Sequence, residues 1–344
     1  MNRKFLSLFI VICLGAAFIT GGTLEAQTPA IRLTYSTFFP PTHIQSKLAE
    51  AWCREVEKRT HGKIFVEYYP GQTFTESTAW NCYDDIVNGR ADIGFSALAY
   101  TRRRFPVMSA VDLPLGYPDG KAATAVVNEV YKRFMPKGLM DTRVMYLHAN
   151  GPGLIHTKDR PVKKLEDMKG LKLRGHGASA QVLSALGAMP VAMPMPEVYQ
   201  GLQTGLIDGS IYPWEINQGW RLGEMTRYCT AAFNIAYTTS FFVVMNKDKW
   251  ASIPADLQKI IGQINDEWSI KHGAAWDASD MEGLRFFLSQ GGTVIGLDQN
   301  EALRWQSAAG PVIVDYVAEA KKRGVANAQE IVDFIRQALD KYGK

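Results

Sequence analysis

The chain opens its folded part with strict alternation in "IRLTYST", Ile31–Thr37, whose β-branched and aromatic residues predict a strand. Past Pro40-Pro41 the apolar spacing lengthens, and a helix is expected from about His43 to Arg59. "GKIFVEYYPG" (Gly62–Gly71) reads as a strand closed by Pro70-Gly71. "ESTAWNCYDDIVNG" (Glu76–Gly89) reads as a helix stopped by glycine, and "ADIGFSAL" (Ala91–Leu98) as a strand. That order is a βαβαβ unit with parallel strands.

The rhythm returns later. "LKLR" (Leu171–Arg174), "MPVAM" (Met189–Met193) and "LIDGSIY" (Leu206–Tyr212) are expected strands. Between them lie helices at about Ser179–Leu186 and at Pro196–Gly205, the latter with proline near its start and glycine at its end. No sequence identity relates the two units, so the repetition is architectural. "RVMYLHANG" (Arg143–Gly151) reads as a strand leaving the first unit, and "TSFFVVMNKD" (Thr239–Asp248) as an apolar strand returning to it. A helical segment then runs from Pro254 to a stop at Gly291-Gly292, with Gly273 a candidate bend. Unbroken, it would measure roughly 50 Å at 1.5 Å per residue, longer than one lobe is wide, so it is expected to span both. A helix pair, about Gln299–Arg323 and Ala328–Lys341, closes the chain.

Two parallel α/β units joined by crossing strands enclose a cleft, and in open α/β sheets ligands sit at the carboxyl ends of the strands. In the first unit that rule selects Phe39, Gln72, Ser96 and Tyr100; in the second it selects Arg174, His176, Met195, Tyr212 and Trp214. One arginine among aromatics and a few hydroxyls suits a small organic anion. For each of these residues ordinary packing is the alternative role.

Composition adds little to the fold and more to the setting. The 344 residues, 47% hydrophobic with net charge +4, fit two soluble domains. No basic run tracks a phosphate backbone, so nucleic acid is not an expected partner. The first residues differ: Arg3 and Lys4 precede an apolar run from Phe5 to about Ile19, then small and polar residues. This is the pattern of an export signal over residues 1–26, cut after Ala26. Three cysteines remain, Cys53, Cys82 and Cys229. An odd count leaves a free thiol; either Cys53–Cys82 is bridged or all three are buried thiols.

A search for catalysis finds no nucleophile elbow, HExxH, phosphate-binding loop or dinucleotide fingerprint. His148, His156 and His176 would form a metal or catalytic cluster only if folding gathered them. Neither an enzyme nor any cofactor or metal is expected.

Arg160 to Ser210, "RPVKKLEDMKGLKLRGHGASAQVLSALGAMPVAMPMPEVYQGLQTGLIDGS", resembles the core signature of solute-binding proteins of TRAP (tripartite ATP-independent periplasmic) transporters, dicarboxylate-binding class. "DIVNGRADIGFS", "RFPVMSAVDLPLGYPD" and "VVMNKDKWASIPADLQKII" resemble the same family, so the likeness covers nearly the whole exported chain. It implies a two-lobe periplasmic-binding-protein-like α/β fold, each lobe a mainly parallel sheet flanked by helices, joined by crossing strands and a long helix. The expected lobes are residues 27–150 plus 240–275 and residues 151–239 plus 276–344. The resemblance also implies a monomeric or sometimes dimeric periplasmic receptor, here expected as a monomer, that closes on its ligand and delivers it to a membrane permease driven by an ion gradient. Arg174 falls on the family's carboxylate-gripping arginine, and Met195 on an apolar ligand contact. Two positions depart from the family pattern. Ile155 stands where many members carry a second arginine, and Tyr212 where many carry an asparagine that reaches the ligand. A charge and an amide give way to apolar surface, so the expected ligand is a monocarboxylate with an apolar or aromatic body. A sensor subunit for a signalling kinase and, further off, an enzyme acting on an organic acid are the competing readings.

Overall fold

A computed structural model describes residues 31–74, 78–101 and 104–342. The export-signal reading therefore lies outside the described residues. The first unit runs β1 (Ile31–Thr37), α1 (Ile44–Arg59), β2 (Ile64–Tyr69), α2 (Cys82–Val87) and β3 (Ile93–Ala97). Helix α1 starts where His43 Nδ1 accepts the Gln45 N–H at 3.2 Å, and ends where Gly62 N–H reaches Glu57 O at 2.9 Å with positive φ. After α3 (Gly120–Phe134) and β4 (Thr142–Ala149) the chain crosses to β5 (Leu154–Thr157). The second unit follows as β6 (Lys172–Arg174), α4 (Gly177–Ala185), β7 (Met189–Val191), α5 (Met195–Gln203) and β8 (Gly209–Tyr212). Then come α6 (Ile216–Gly219), β9 (Tyr228–Thr230), the returning β10 (Ser240–Asn246), α7 (Lys247–Ala251), α8 (Ala255–Ser289), β11 (Thr293–Ile295), α9 (Gln299–Lys322) and α10 (Ala328–Tyr342).

The strands form two sheets, β2-β1-β3-β10-β4 and β11-β9-β5-β8-β6-β7. Within each, the βαβαβ unit is parallel in the expected way: β2-β1-β3 in one, β7-β6-β8 in the other. Both sheets are nonetheless mixed, because β10 runs antiparallel between β3 and β4, and β5 antiparallel between β8 and β9. Helix α3 is an addition to the expected order. Asp119 caps it by accepting the Ala122 N–H at 2.7 Å, and Ala122, Ala123, Val126, Val127 and Val130 form its buried stripe. That stripe is plain in the sequence; the three-residue strands β9 and β11 carry too few residues to show a period.

Ahead of the C-terminal helices, three segments join the lobes among the described residues. The β4–β5 crossing and the approach to β10 pair with each other, Gly153 N–H to Tyr237 O at 2.8 Å and Asn150 N–H to Thr239 O at 3.2 Å. The Asn150 side-chain oxygen accepts the Thr239 N–H at 2.8 Å, which ties the two crossings into one ribbon. The third segment is α8. Its near half docks on the first lobe through Trp52 Nε1–H to Asn265 Oδ1 (3.0 Å) and Trp268 Nε1–H to Leu48 O (2.8 Å). Its far half packs Phe287 against Trp214 of the second lobe. Gly273 does not interrupt it; a Cβ there would lie 3.0 Å from Thr124 of α3, so this glycine serves close helix packing. The C-terminal helices divide their packing. Residues near the start of α9 bind the second lobe, with Asn234 Nδ2 donating to Ala302 O at 2.6 Å. Helix α10 lies on α3 of the first, with Phe134 and Phe334 edge to face at 5.4 Å.

The apolar core falls into three clusters, which hold Cys82, Cys53 and Cys229 respectively as free buried thiols. Burial pushes the Cys82 thiol up to about 12. Asp112 is the notable buried acid. Its Oδ1 accepts the Ser240 N–H at 2.9 Å and the Ser240 hydroxyl at 2.6 Å at the start of β10, and burial raises it from 3.8 to about 7. The unfolded chain releases this proton near 3.8 and the folded chain only near 7, so stability falls as pH rises between those values and levels off above. Asp112→Asn retains the accepting oxygen and removes the charge. Thermal unfolding at pH 8 should show the variant more stable by on the order of 2–4 kcal/mol, with the advantage gone near pH 4. An advantage that does not depend on pH would contradict this origin.

Candidate ligand-binding site

The carboxyl ends of the parallel strands from both lobes meet at one buried cavity of about 30 Å3 between them. That is room for about two waters, so an organic ligand enters only if the walls part. Arg174 ends β6 and is 2% exposed. Its Nε–H donates to Met193 O at 3.0 Å and its Nη2–H to the Tyr100 hydroxyl at 3.1 Å. Among the described residues no carboxylate pairs with it. A buried cation held by neutral acceptors retains most of its demand for an anion. Guanidinium carries five N–H donors in a planar fork, a match for a carboxylate.

Tyr100, from the turn after β3, joins the lobes at this point. Its hydroxyl accepts from Arg174 and from the Met195 N–H at 3.0 Å, leaving its own proton to donate. His176 lies over Tyr100, ring centroids 5.0 Å apart, and its Nδ1 is buried without a hydrogen-bond partner among the described residues. Burial, and then the charge of Arg174, drive the His176 imidazole well below its usual range, so it is neutral. The remaining wall is aromatic: Phe38 stacks on Phe39 at 4.3 Å and faces Trp220 at 6.0 Å, with Phe241 and Tyr237 from the crossing segments. Asn150 and Thr239 of the crossing ribbon add polar groups.

Of the residues selected from sequence, Phe39, Tyr100, Arg174, His176, Met195 and Tyr212 line the cavity. Tyr212 does so with its ring stacked on His156 at 3.9 Å and its hydroxyl tied to Asn217 and Thr226. Gln72, Ser96 and Trp214 lie outside the lining. Gln72 accepts the Ala79 N–H at 3.0 Å and Ser96 donates to Ala79 O at 2.9 Å, so both hold the segment before α2. Trp214 turns into the second lobe against Phe287. Ile155 is buried opposite Ile211 in β5, also away from the lining. The histidines are not gathered: His148 stacks on His272 in the first lobe, His156 packs under Tyr212 in the second, and His176 alone reaches the cavity. Burial lowers His156 and His272 to about 3.

Sequence reasoning did not select Phe38, Asn150, Glu215, Trp220, Tyr237, Thr239 or Phe241. Phe38 and Glu215 sit in the strand-end segments that the topology rule marks, next to residues that were chosen. Asn150, Tyr237, Thr239 and Phe241 come from the crossing strands, to which a rule about parallel strand ends does not apply.

Two mixed α/β lobes, two crossing strands, a spanning helix and a closed interlobe cavity define a hinged solute-binding protein. The family described as bacterial extracellular solute-binding protein, family 7, matches residues 35–320. The chain belongs to that family. Among solved structures, a marine metagenome TRAP solute-binding protein from an unidentified microbe, specific for aromatic acids and holding metahydroxyphenylacetate, is 28% identical, with TM-score 0.86 over 91% of this chain and 100% of that one. A TRAP solute-binding protein of Rhodoferax ferrireducens with copurified benzoate is 30% identical, with TM-score 0.84 over 91% of this chain and 98% of that one. The 2,3-diketo-L-gulonate-binding periplasmic protein YiaO of Escherichia coli is 27% identical over 72% of this chain and 74% of its own. The family is extracytoplasmic, and among the described residues no helix is long and apolar enough to cross a membrane.

Proposed function

We propose that the protein captures a small aryl monocarboxylate outside the cytoplasm and hands it, without turnover, to a TRAP permease for uptake driven by an ion gradient. One observation carries the ligand class: a buried arginine without a carboxylate partner among the described residues, set in a cavity walled by Phe38, Phe39, Tyr100, Trp220 and Phe241. The guanidinium takes the carboxylate, and the aromatic wall takes a planar apolar body, with offset or edge contacts favoured. Solved relatives described with benzoate and metahydroxyphenylacetate support this choice. Closure supplies the signal for delivery: a ligand shifts the lobes only by its differential affinity for the closed state, and the Arg174–Tyr100 contact exists only when the lobes meet. The chain works as a monomer after removal of residues 1–26, with lobes at residues 27–150 plus 240–275 and 151–239 plus 276–344, except that α10 within the last range packs on α3 of the first lobe.

Mass spectrometry of ligand released from the purified protein, followed by titration calorimetry, tests the proposal. Benzoate-type acids are expected to bind at least about 100-fold tighter than succinate, since the dicarboxylate gains nothing from the aromatic wall and buries a second charge. A preference for succinate would overturn the aromatic reading.

A further inference from the structure

Glu215 is the second charged residue that lines the cavity, and the carboxylate grip at Arg174 leaves it without a role. Its Oε2 lies 3.0 Å from His43 Nε2 across the lobe boundary, and both side chains are buried. His43 Nδ1 is committed as an acceptor, taking the Gln45 N–H that caps α1. A nitrogen that accepts carries no proton, so the ring proton sits on Nε2 and is donated to Glu215. The imidazole is therefore neutral and the pair keeps one negative charge. Asp280 stands beside the pair: its Oδ1 accepts the Glu215 N–H at 2.8 Å, and burial pushes its carboxyl well above the usual range. Glu215 and Trp220 also line the wide outer cleft of about 760 Å3. Glu215 thus stands where the outer cleft meets the cavity, its Oε2 at His43, and among the described residues it is not paired with Arg174.

We infer that Glu215 determines specificity: its carboxylate rejects ligands with a second carboxylate and selects aryl acids whose ring carries a hydrogen-bond donor. This rests on the aryl-monocarboxylate reading. A buried like-charge contact is a strong means of exclusion, and a carboxylate, which only accepts, rewards a donor. The same wall then accepts one anion at Arg174 and refuses another at Glu215.

Calorimetry with benzoate, 3-hydroxybenzoate, benzene-1,3-dicarboxylate and 3-carbamoylbenzoate tests it on the purified full-length protein. The carbamoyl acid matches the diacid in size but is neutral at the second group and offers donors. The unaltered protein should bind it at least about 100-fold tighter than the diacid, and 3-hydroxybenzoate tighter than benzoate. In Glu215→Gln, which preserves a hydrogen bond to His43, the carbamoyl-to-diacid affinity ratio should fall at least about tenfold. A ratio within about threefold of unity in the unaltered protein would overturn the inference, as would an unchanged ratio in the variant. The first comparison needs no variant, so a misfolded Glu215→Gln does not shield the claim. Binding of benzoate without discrimination at the second group sinks the role of Glu215 alone. Failure of every aryl acid, benzoate included, overturns the function reading and this one together.

Discussion

Arg174→Ala should weaken binding of benzoate by about a thousandfold, while the thermal midpoint stays close to that of the unaltered chain. The guanidinium has donors left for an anion after serving Met193 O and the Tyr100 hydroxyl. Two charge-assisted hydrogen bonds at about 1.5–3 kcal/mol each give a loss of about 3–6 kcal/mol, and 1.4 kcal/mol is tenfold. Removing the side chain also removes a buried charge without a carboxylate partner among the described residues, which relieves part of the structural loss. Arg174→Lys separates charge from shape. It keeps the cation but not the planar fork, and is expected to recover only part of the affinity. Calorimetry with circular dichroism as the folding control measures both. Equal affinity in Arg174→Ala would remove Arg174 from the site.

Gly283→Ala should destabilise the protein by about 2–3 kcal/mol and weaken ligand binding with it. A Cβ at Gly283 would meet Trp214 O at 2.0 Å and Glu215 Cα at 2.7 Å, both backbone atoms that cannot swing aside. Helix α8 would have to lift from the 213–216 segment, and Pro213, Glu215 and Ile216 of that segment line the cavity. The Glu215 N–H to Asp280 contact at 2.8 Å would be lost in the same movement. Gly262 of the same helix is the control, because nothing lies within 4 Å of its added Cβ. Gly262→Ala should be neutral or stabilising by up to about 1 kcal/mol, the ordinary helix preference for alanine. Denaturant unfolding of both variants checks the contrast. Equal effects would mean that the close approach of α8 to Trp214 does not constrain the fold.

The contrast between these glycines shows where sequence reading stops. Both interrupt an apolar helical pattern, and no local rule distinguishes them. The same limit applies at the end of β8. Tyr212 and Trp214 are near neighbours on one strand end, yet one lines the cavity and the other packs on Phe287. Gln72 and Ser96 follow the strand-end rule in position but spend their polar atoms on Ala79. The rule places a backbone; it does not aim a side chain in a loop.

The sequence by itself determined the two βαβαβ units, their parallel order, the returning strand, the spanning helix and the placement of Arg174 at a strand end. Those are consequences of hydrophobic period and turn chemistry, which act over a few residues. Only the tertiary structure decided what Arg174 faces. Tyr100 reaches it from 74 positions away, and His43 meets Glu215 across 172. Such contacts depend on summed geometry through two crossings and a long helix, and no local pattern encodes them. The charge that marks the site is a local fact; the aromatic wall and the second charge beside it are gathered from segments of both lobes, which only the tertiary structure brings together.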